Sequence, residues 1–134
     1  MKYLFNSKPI VSVVVTCFNY GQYLKQAIDS VLSQTYPHLE IIIINDGSTD
    51  DTDEVILKYQ NFKNITYIKQ PKSGQAKAKN TGIRHATGDY IAFLDADDAW
   101  KKNKLEKQIP MFLNDRIGVV YSRACYIDEH GQKL

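Results

Sequence analysis

Three carboxylates stand within four positions in the stretch IAFLDADDAW (91–100): Asp95, Asp97 and Asp98. They follow four apolar residues, Ile91 to Leu94, that read as a buried strand. Like charges this close raise each other's pKa and repel, so gathering them requires a compensating gain or separate solvation. Hard divalent cations such as Mg2+ and Mn2+ favour carboxylate oxygen and complete their shell with water and phosphates. In an extended segment residues i and i+2 share a side, which lets Asp95 and Asp97 face one bound group. The plainer alternative is that Asp95 closes the strand while Asp97 and Asp98 cap a helix near Trp100. A D-x-D alone is too short to choose.

Two further segments carry suitable groups. Asp46 lies in NDGS at the end of a second apolar run, where Gly47 permits a turn. A carboxylate so placed can accept a hydrogen bond from a nucleobase imide or a ribose hydroxyl. SGQAKAKNTG (73–82) combines small residues, which allow close backbone packing, with Lys77 and Lys79. A helix N-terminus there can hold an anion. Lysines two apart do not share a helical face, so at most one serves the same site.

These groups need elements to position them. IVSVVVTCF (10–18) and LEIIIIND (39–46) are β-branched runs of the length and type of strands buried on both faces. Between them, GQYLKQAIDSVLSQTY places Leu24, Ala27, Ile28, Val31 and Leu32 on one helical face, closed by Pro37. Ser48 or Thr49 is expected to cap a second helix bearing Val55, Ile56 and Tyr59. NITYIKQ predicts a third strand, Ser73 or Gly74 opens a third helix running to Gly88, and DYIAFLD is a fourth strand. WKKNKLEKQIPMFLND is helical with Pro110 shortening or kinking it, and IGVVYSRACYID predicts a fifth strand. Strict β-α alternation argues for a mostly parallel sheet between helices, and such sheets bind ligands beyond the carboxyl ends of their strands. Thr16 to Asn19, Asn45 to Ser48 and Asp95 to Asp98 all fall at such ends.

Composition sets the outer bounds. The chain has 134 residues, 43% hydrophobic and 24% charged, with net charge +2, which suits one folded domain. No 18-residue apolar run is present, and MKYLFNSKPI lacks the pattern of a secretory leader, so a cytoplasmic location is expected. Cys17 and Cys125 form no metal or redox pair and are expected as buried free thiols; His38, His85 and His130 are scattered and read as surface or turn residues. Val55 to Gly88 holds no acid but seven Lys and Arg, directly after five acids in NDGSTDDTDE. The absence of G-x-G-x-x-G after the first strand, of a P-loop and of G-x-S-x-G or H-E-x-x-H disfavours dehydrogenase, NTPase, serine-hydrolase and zinc-protease chemistry. The dispersed Tyr and Trp residues do not make a nucleic-acid surface.

Taken together, VSVVVTCFN, EIIIINDGSTDDT, GQAKAKNTGI and GDYIAFLDADD resemble, in order and spacing, the nucleotide-sugar-binding part of family 2 glycosyltransferases. The resemblance implies a Rossmann-like GT-A fold, a three-layer α/β/α sandwich with a mostly parallel sheet. It also implies that residues 1–134 form one domain, the donor-binding half of a longer catalytic domain. By position, Thr16, Phe18 and Asn19 match the loop against the nucleotide, and Asp46 the acid that recognises uracil or its equivalent. Lys79 stands where this family commonly has Arg, and Lys lacks the planar fork of Arg. Asp95 and Asp97 match the metal-binding D-x-D, with Asp95 also approaching ribose or sugar, and Asp98 a third acid near the sugar.

The implied activity is transfer from a nucleoside-diphosphate sugar, foremost a UDP-sugar, with inversion to a saccharide or lipid-linked acceptor. Mn2+ or Mg2+ is the implied cofactor, the implied pathway is cell-surface polysaccharide or glycolipid synthesis, and peripheral attachment at the inner membrane face is compatible with it. The resemblance places the general base past residue 134; Asp128 and Glu129 come too early to match it. A non-catalytic nucleotide- and metal-binding module is the alternative. A phosphoacceptor receiver domain would want paired acids after the first strand, where TCFNYG stands, and a nucleotidyltransferase would want a glycine-rich, Arg-bearing loop there.

Overall fold

The computed structural model describes residues 8–134, so the leader expectation, which concerns the N-terminus, falls largely outside the described residues. Four strands, β1 (Val11–Cys17), β2 (Leu39–Asn45), β3 (Ile65–Lys69) and β4 (Tyr90–Asp95), form one sheet in the order β3-β2-β1-β4. Every pairing is parallel. The helices are α1 (Gly21–Leu32), α2 (Thr52–Leu57), α3 (Gln75–His85) and the short α4 (Lys104–Gln108).

The uninterrupted apolar runs are explained by burial on both faces. Val11, Val13, Val15 and Cys17 point to one side, where they pack with Leu24, Ala27, Ile28 and Val31 of α1 and Val55 and Ile56 of α2. Fully burying a Leu, Ile or Val side chain contributes about 1.5–3 kcal/mol, so this face carries most of the core. Val14, Ile42 and Ile44 point the other way, onto Ala78 of α3. The strand order accounts for the division. Steps from β1 to β2 to β3 run one way, and the step to β4 runs back past β1. With right-handed crossovers, helices made in opposite directions lie on opposite faces. The reversal creates a switch point between β1 and β4.

Helix α3 reaches the sheet because Gly82 lacks a side chain: a Cβ there would lie 2.3 Å from Val14 Cγ1. Among the described residues, no helix is long and apolar enough to cross a membrane.

Several sequence expectations need correction. Residues 117–128 form no strand. Val119 and Tyr121 are 80% and 90% exposed, and the segment's sole pairing is an isolated bridge from Ile127 to Lys133. Apolar patterning makes a strand possible, but a strand also needs an edge to satisfy its N–H and C=O groups, and this segment meets neither β3 nor β4. Cys125 is exposed, although Cys17 is buried as expected. Helix α2 is preceded by Asp51, with Asp50 Oδ1 accepting from Thr52 N at 3.1 Å, so neither Ser48 nor Thr49 caps it. Helix α3 stops at His85; Gly88 N instead donates to Ser12 Oγ at 2.8 Å. Helix α1 ends at Leu32, one turn before Pro37. Pro110 shortens α4 as expected, and a 3-10 segment, Ile109–Leu113, follows.

Candidate functional site

The carboxyl ends of β1, β2 and β4, together with the loop entering α3, enclose a cleft of about 370 Å³. Thr16, Phe18, Asp46, Asp95 and Asp97 line it, as do Tyr20, Lys72 and Gln75. It therefore opens where the switch point predicts a ligand.

Parallel register puts Thr16 opposite both Ile44 and Asp95. Thr16 follows Val14 at the period of a strand, so Thr16 and Asp95 share the face covered by α3. The Thr16 hydroxyl donates to Asp95 Oδ1 at 3.0 Å, and Lys79 Nζ of α3 lies 3.1 Å from the same oxygen. Of the two lysines in AKAK, Lys79 is thus the one that meets the acids. Its side chain does not line the cleft.

Beyond Asp95 the strand has ended, so Asp95 and Asp97 are not brought together by extended geometry. A turn closed by Asp98 N on Asp95 O, at 3.0 Å, does so. Asp97 is exposed to the cleft and has no hydrogen-bond or ion-pair partner among the described residues. Partial burial, then Asp97 and Asp95, push the Asp98 carboxyl above its ordinary value, opposed by Lys79. That is the repulsion anticipated from three neighbouring acids. Asp98 lies outside the cleft lining.

Asp46 is 4% exposed and heavily engaged. Its Oδ1 accepts from Gln70 Nε2 (2.7 Å), Ser73 N (2.9 Å) and Ser73 Oγ (3.0 Å), and its Oδ2 from Gly74 N (2.8 Å). Burial raises its pKa, but these donors outweigh burial and hold the carboxyl below its ordinary value. Asp46 thus clamps the loop that leads into α3 onto the end of β2. Gly47 (φ +78°) lets that loop cross: a Cβ there would meet Lys72 N at 2.6 Å.

Asn19 ties two loops together. It adopts φ 55°, which Asn tolerates, while its N donates to Ser48 Oγ (3.0 Å) and its Oδ1 accepts from Thr49 N (2.8 Å). Asn45, fully buried, holds the second turn: Oδ1 accepts from Ser48 N, and Nδ2 donates to Asp53 and to Tyr67 Oη. The Cys17 thiol sits beside Thr52 Oγ1, and burial pushes its pKa up, which suits a packing residue rather than a nucleophile. His38, His85 and His130 are exposed, as expected.

Sequence reasoning did not single out Lys72, Tyr20 or Gln75. Lys72 was one of seven bases in an acid-free stretch. The available signal was its place in the loop after β3, at the carboxyl end of the sheet.

Among the described residues, no group of three or more His, Cys, Asp or Glu side chains is arranged to hold a metal ion. A site of one or two carboxylates facing an open cleft is a different case. It fits Mg2+ or Mn2+ whose remaining ligands are water and phosphate. Asp97 has both oxygens available, and Asp95 has Oδ2, for which no hydrogen bond is formed among the described residues.

Comparison with known proteins places this arrangement. The chain is 41% identical over 111 residues to TuaG of Bacillus subtilis (strain 168), whose name assigns it provisionally as a teichuronic acid biosynthesis glycosyltransferase. That match covers 81% of this chain and 44% of TuaG, so the chain spans less than half of that relative's length. Among solved structures, Staphylococcus aureus TarS in complex with UDP-GlcNAc superposes with a TM-score of 0.71 at 28% identity, covering 78% of this chain and 31% of that one. The mannosyltransferase PcManGT from Pyrobaculum calidifontis, in complex with GDP-Man and Mn2+, gives 0.65 at 30% identity, covering 71% and 29%. The fold is that of GT-A glycosyltransferases. With the glycosyl transferase family 2 model matching residues 12–133, the chain belongs to that family.

Proposed function

We propose that this chain carries the donor site of an inverting, metal-dependent glycosyltransferase, with a UDP-sugar as donor and a saccharide or lipid-linked acceptor. The observation that carries this reading is the cleft itself. One space at the switch point gathers an aromatic face (Phe18), a buried carboxylate (Asp46) and two acids of a D-x-D (Asp95, Asp97). The nucleotide sugars bound by TarS and PcManGT, one with UDP and one with GDP, support a nucleoside-diphosphate sugar.

In this reading Thr16 and Phe18 contact the base, and Asp46 accepts from its imide through the remaining acceptor capacity of Oδ2. Asn19 serves the nucleotide indirectly, by fixing the loop that carries Phe18. Lys79 and Thr16 hold Asp95 in place through its Oδ1. Asp97 and Asp95 hold Mn2+ or Mg2+, and Asp98 stands toward the sugar hydroxyls. When bound there, the cation supplies Lewis-acid stabilisation of charge developing on the leaving diphosphate.

In this proposal the general base lies past residue 134, as the family resemblance implies. Asp128 Oδ1 accepts from His130 N and Gln132 N and organises a surface turn, which is consistent with a structural role for Asp128. The name of TuaG, which refers to teichuronic acid biosynthesis, supports a role in polysaccharide synthesis; the location that goes with this proposal is the cytoplasm, at the inner face of the membrane.

Calorimetric titration with UDP tests the reading. Binding in Mn2+ that is lost with chelator supports it, whereas no heat from folded protein in either condition overturns it for this chain.

A further inference from the structure

Lys72 has three properties that a solvated surface lysine does not combine. Its main chain is fixed: Ser73 N and Gly74 N donate to Asp46, and the Lys72 backbone passes over the bare Cα of Gly47. Its ammonium lies inside the candidate site, 3.4 Å from the centroid of the Phe18 ring. It has no carboxylate partner within ion-pair distance among the described residues.

The charge balance of the cleft gives these facts a consequence. Its lining holds three carboxylates, Asp46, Asp95 and Asp97, and one cation, Lys72. Lys79, the basic residue at the position favoured by sequence, is already engaged by Asp95, 3.1 Å away. An anionic ligand entering this cleft therefore meets Lys72 as the lining side-chain cation not already paired with a carboxylate among the described residues.

We infer that Lys72, rather than Lys79, is the residue that binds the diphosphate of the donor. The inference rests on the donor-site reading. In this structure the ammonium rests on Phe18, an exposed cation–π contact. A charge-assisted hydrogen bond to phosphate is the stronger interaction, so the diphosphate draws Lys72 off the ring. The same movement clears the Phe18 face for the base.

The test compares wild type, Lys72→Met and Lys72→Arg, each titrated with UDP and with uridine in diamagnetic Mg2+ and followed by NMR chemical shifts, which reach millimolar affinities. The expected result is that Lys72→Met weakens UDP about tenfold or more while leaving uridine unchanged. Its UDP affinity should also lose part of its dependence on ionic strength, and Lys72→Arg should recover most of the affinity. Lys72→Met that binds UDP as wild type does, or that loses UDP and uridine in equal proportion, overturns the assignment while leaving the donor reading intact. Wild type that binds neither ligand overturns both.

Discussion

Thr16 and Asp95 are register partners on adjacent parallel strands, and the Thr16 hydroxyl donates to Asp95 Oδ1 at 3.0 Å. One residue ends a β-branched run and the other a mixed apolar run, 79 positions apart. Their meeting depends on β4 pairing with β1 rather than with β3. Replacing Thr16 with Val keeps the shape and removes the donor. Stability should fall by only about 1 kcal/mol, the net worth of one such bond. UDP affinity in Mn2+ should drop several-fold, since the first acid of the D-x-D is then held by Lys79 alone. Denaturant melts and calorimetry on the same samples check both.

Asp97 offers the cleanest separation of binding from folding. Because it has no protein partner among the described residues, Asp97→Asn should leave the unfolding free energy within about 0.5 kcal/mol of wild type. UDP binding in Mn2+ should fall to the level seen with chelator. Retention of the metal response in this variant would remove Asp97 from the metal site.

The acid limb of the stability profile follows from carboxyls held low. Glu40 accepts from Ser12 Oγ (2.6 Å), Thr87 N (2.7 Å) and Thr87 Oγ1 (3.0 Å), at the end of the sheet opposite the cleft. Burial raises the pKa values of Glu40 and Asp46, but their donors outweigh it, and both settle below the ordinary values of 4.5 and 3.8. A carboxyl depressed on folding adds stability above its unfolded pKa and loses it as pH falls through the folded one. Stability should therefore decline from about pH 4.5 downward. Asp98 is shifted the other way and opposes the trend, favouring the folded state at low pH. Asp46→Asn should cost about 1–3 kcal/mol at neutral pH and flatten part of the acid limb in urea titrations at stepped pH.

Gly82 sets the seat of α3, and therefore the height of Lys79 above Asp95. Two effects compete in Gly82→Ala. Helix propensity favours Ala by about 1 kcal/mol, but the new Cβ would lie 2.3 Å from Cγ1 and 2.9 Å from Cγ2 of Val14, which is fully buried and has little room to move. Overpacking costs about 1–3 kcal/mol, so the net should be a loss. Weaker UDP binding should accompany it as α3 lifts from the sheet. A stabilised variant would show that the helix can slide without cost.

Much of the fold was legible because its signals are local. Val11 to Cys17 and Ile41 to Ile44 read as strands buried on both faces, and they are. The spacing of Leu24, Ala27, Ile28 and Val31 fixed the inner face of α1. The strand-end rule then pointed to Thr16, Asp46 and Asp95 without any knowledge of side-chain position. The same local reasoning failed at 117–128, where patterning was present but no strand edge was engaged, and at α2, which Asp51 precedes instead of the expected Ser48 or Thr49 and whose Thr52 N donates to Asp50.

What the sequence determined by itself was four strands and the helices between them, the family, and the acids that could do chemistry, because residue type and short-range period are written directly in the chain. Tertiary structure decided which partners those residues meet. It gave Asp46 four donors from the loop before α3, set Lys79 on Asp95, and left Asp97 without a partner among the described residues. It also laid Lys72 on Phe18. These pairings join residues far apart in sequence, and they depend on strand order and on the bare Cα atoms of Gly47 and Gly82. No local pattern encodes that geometry, because it exists once the crossovers have closed and the helices are packed.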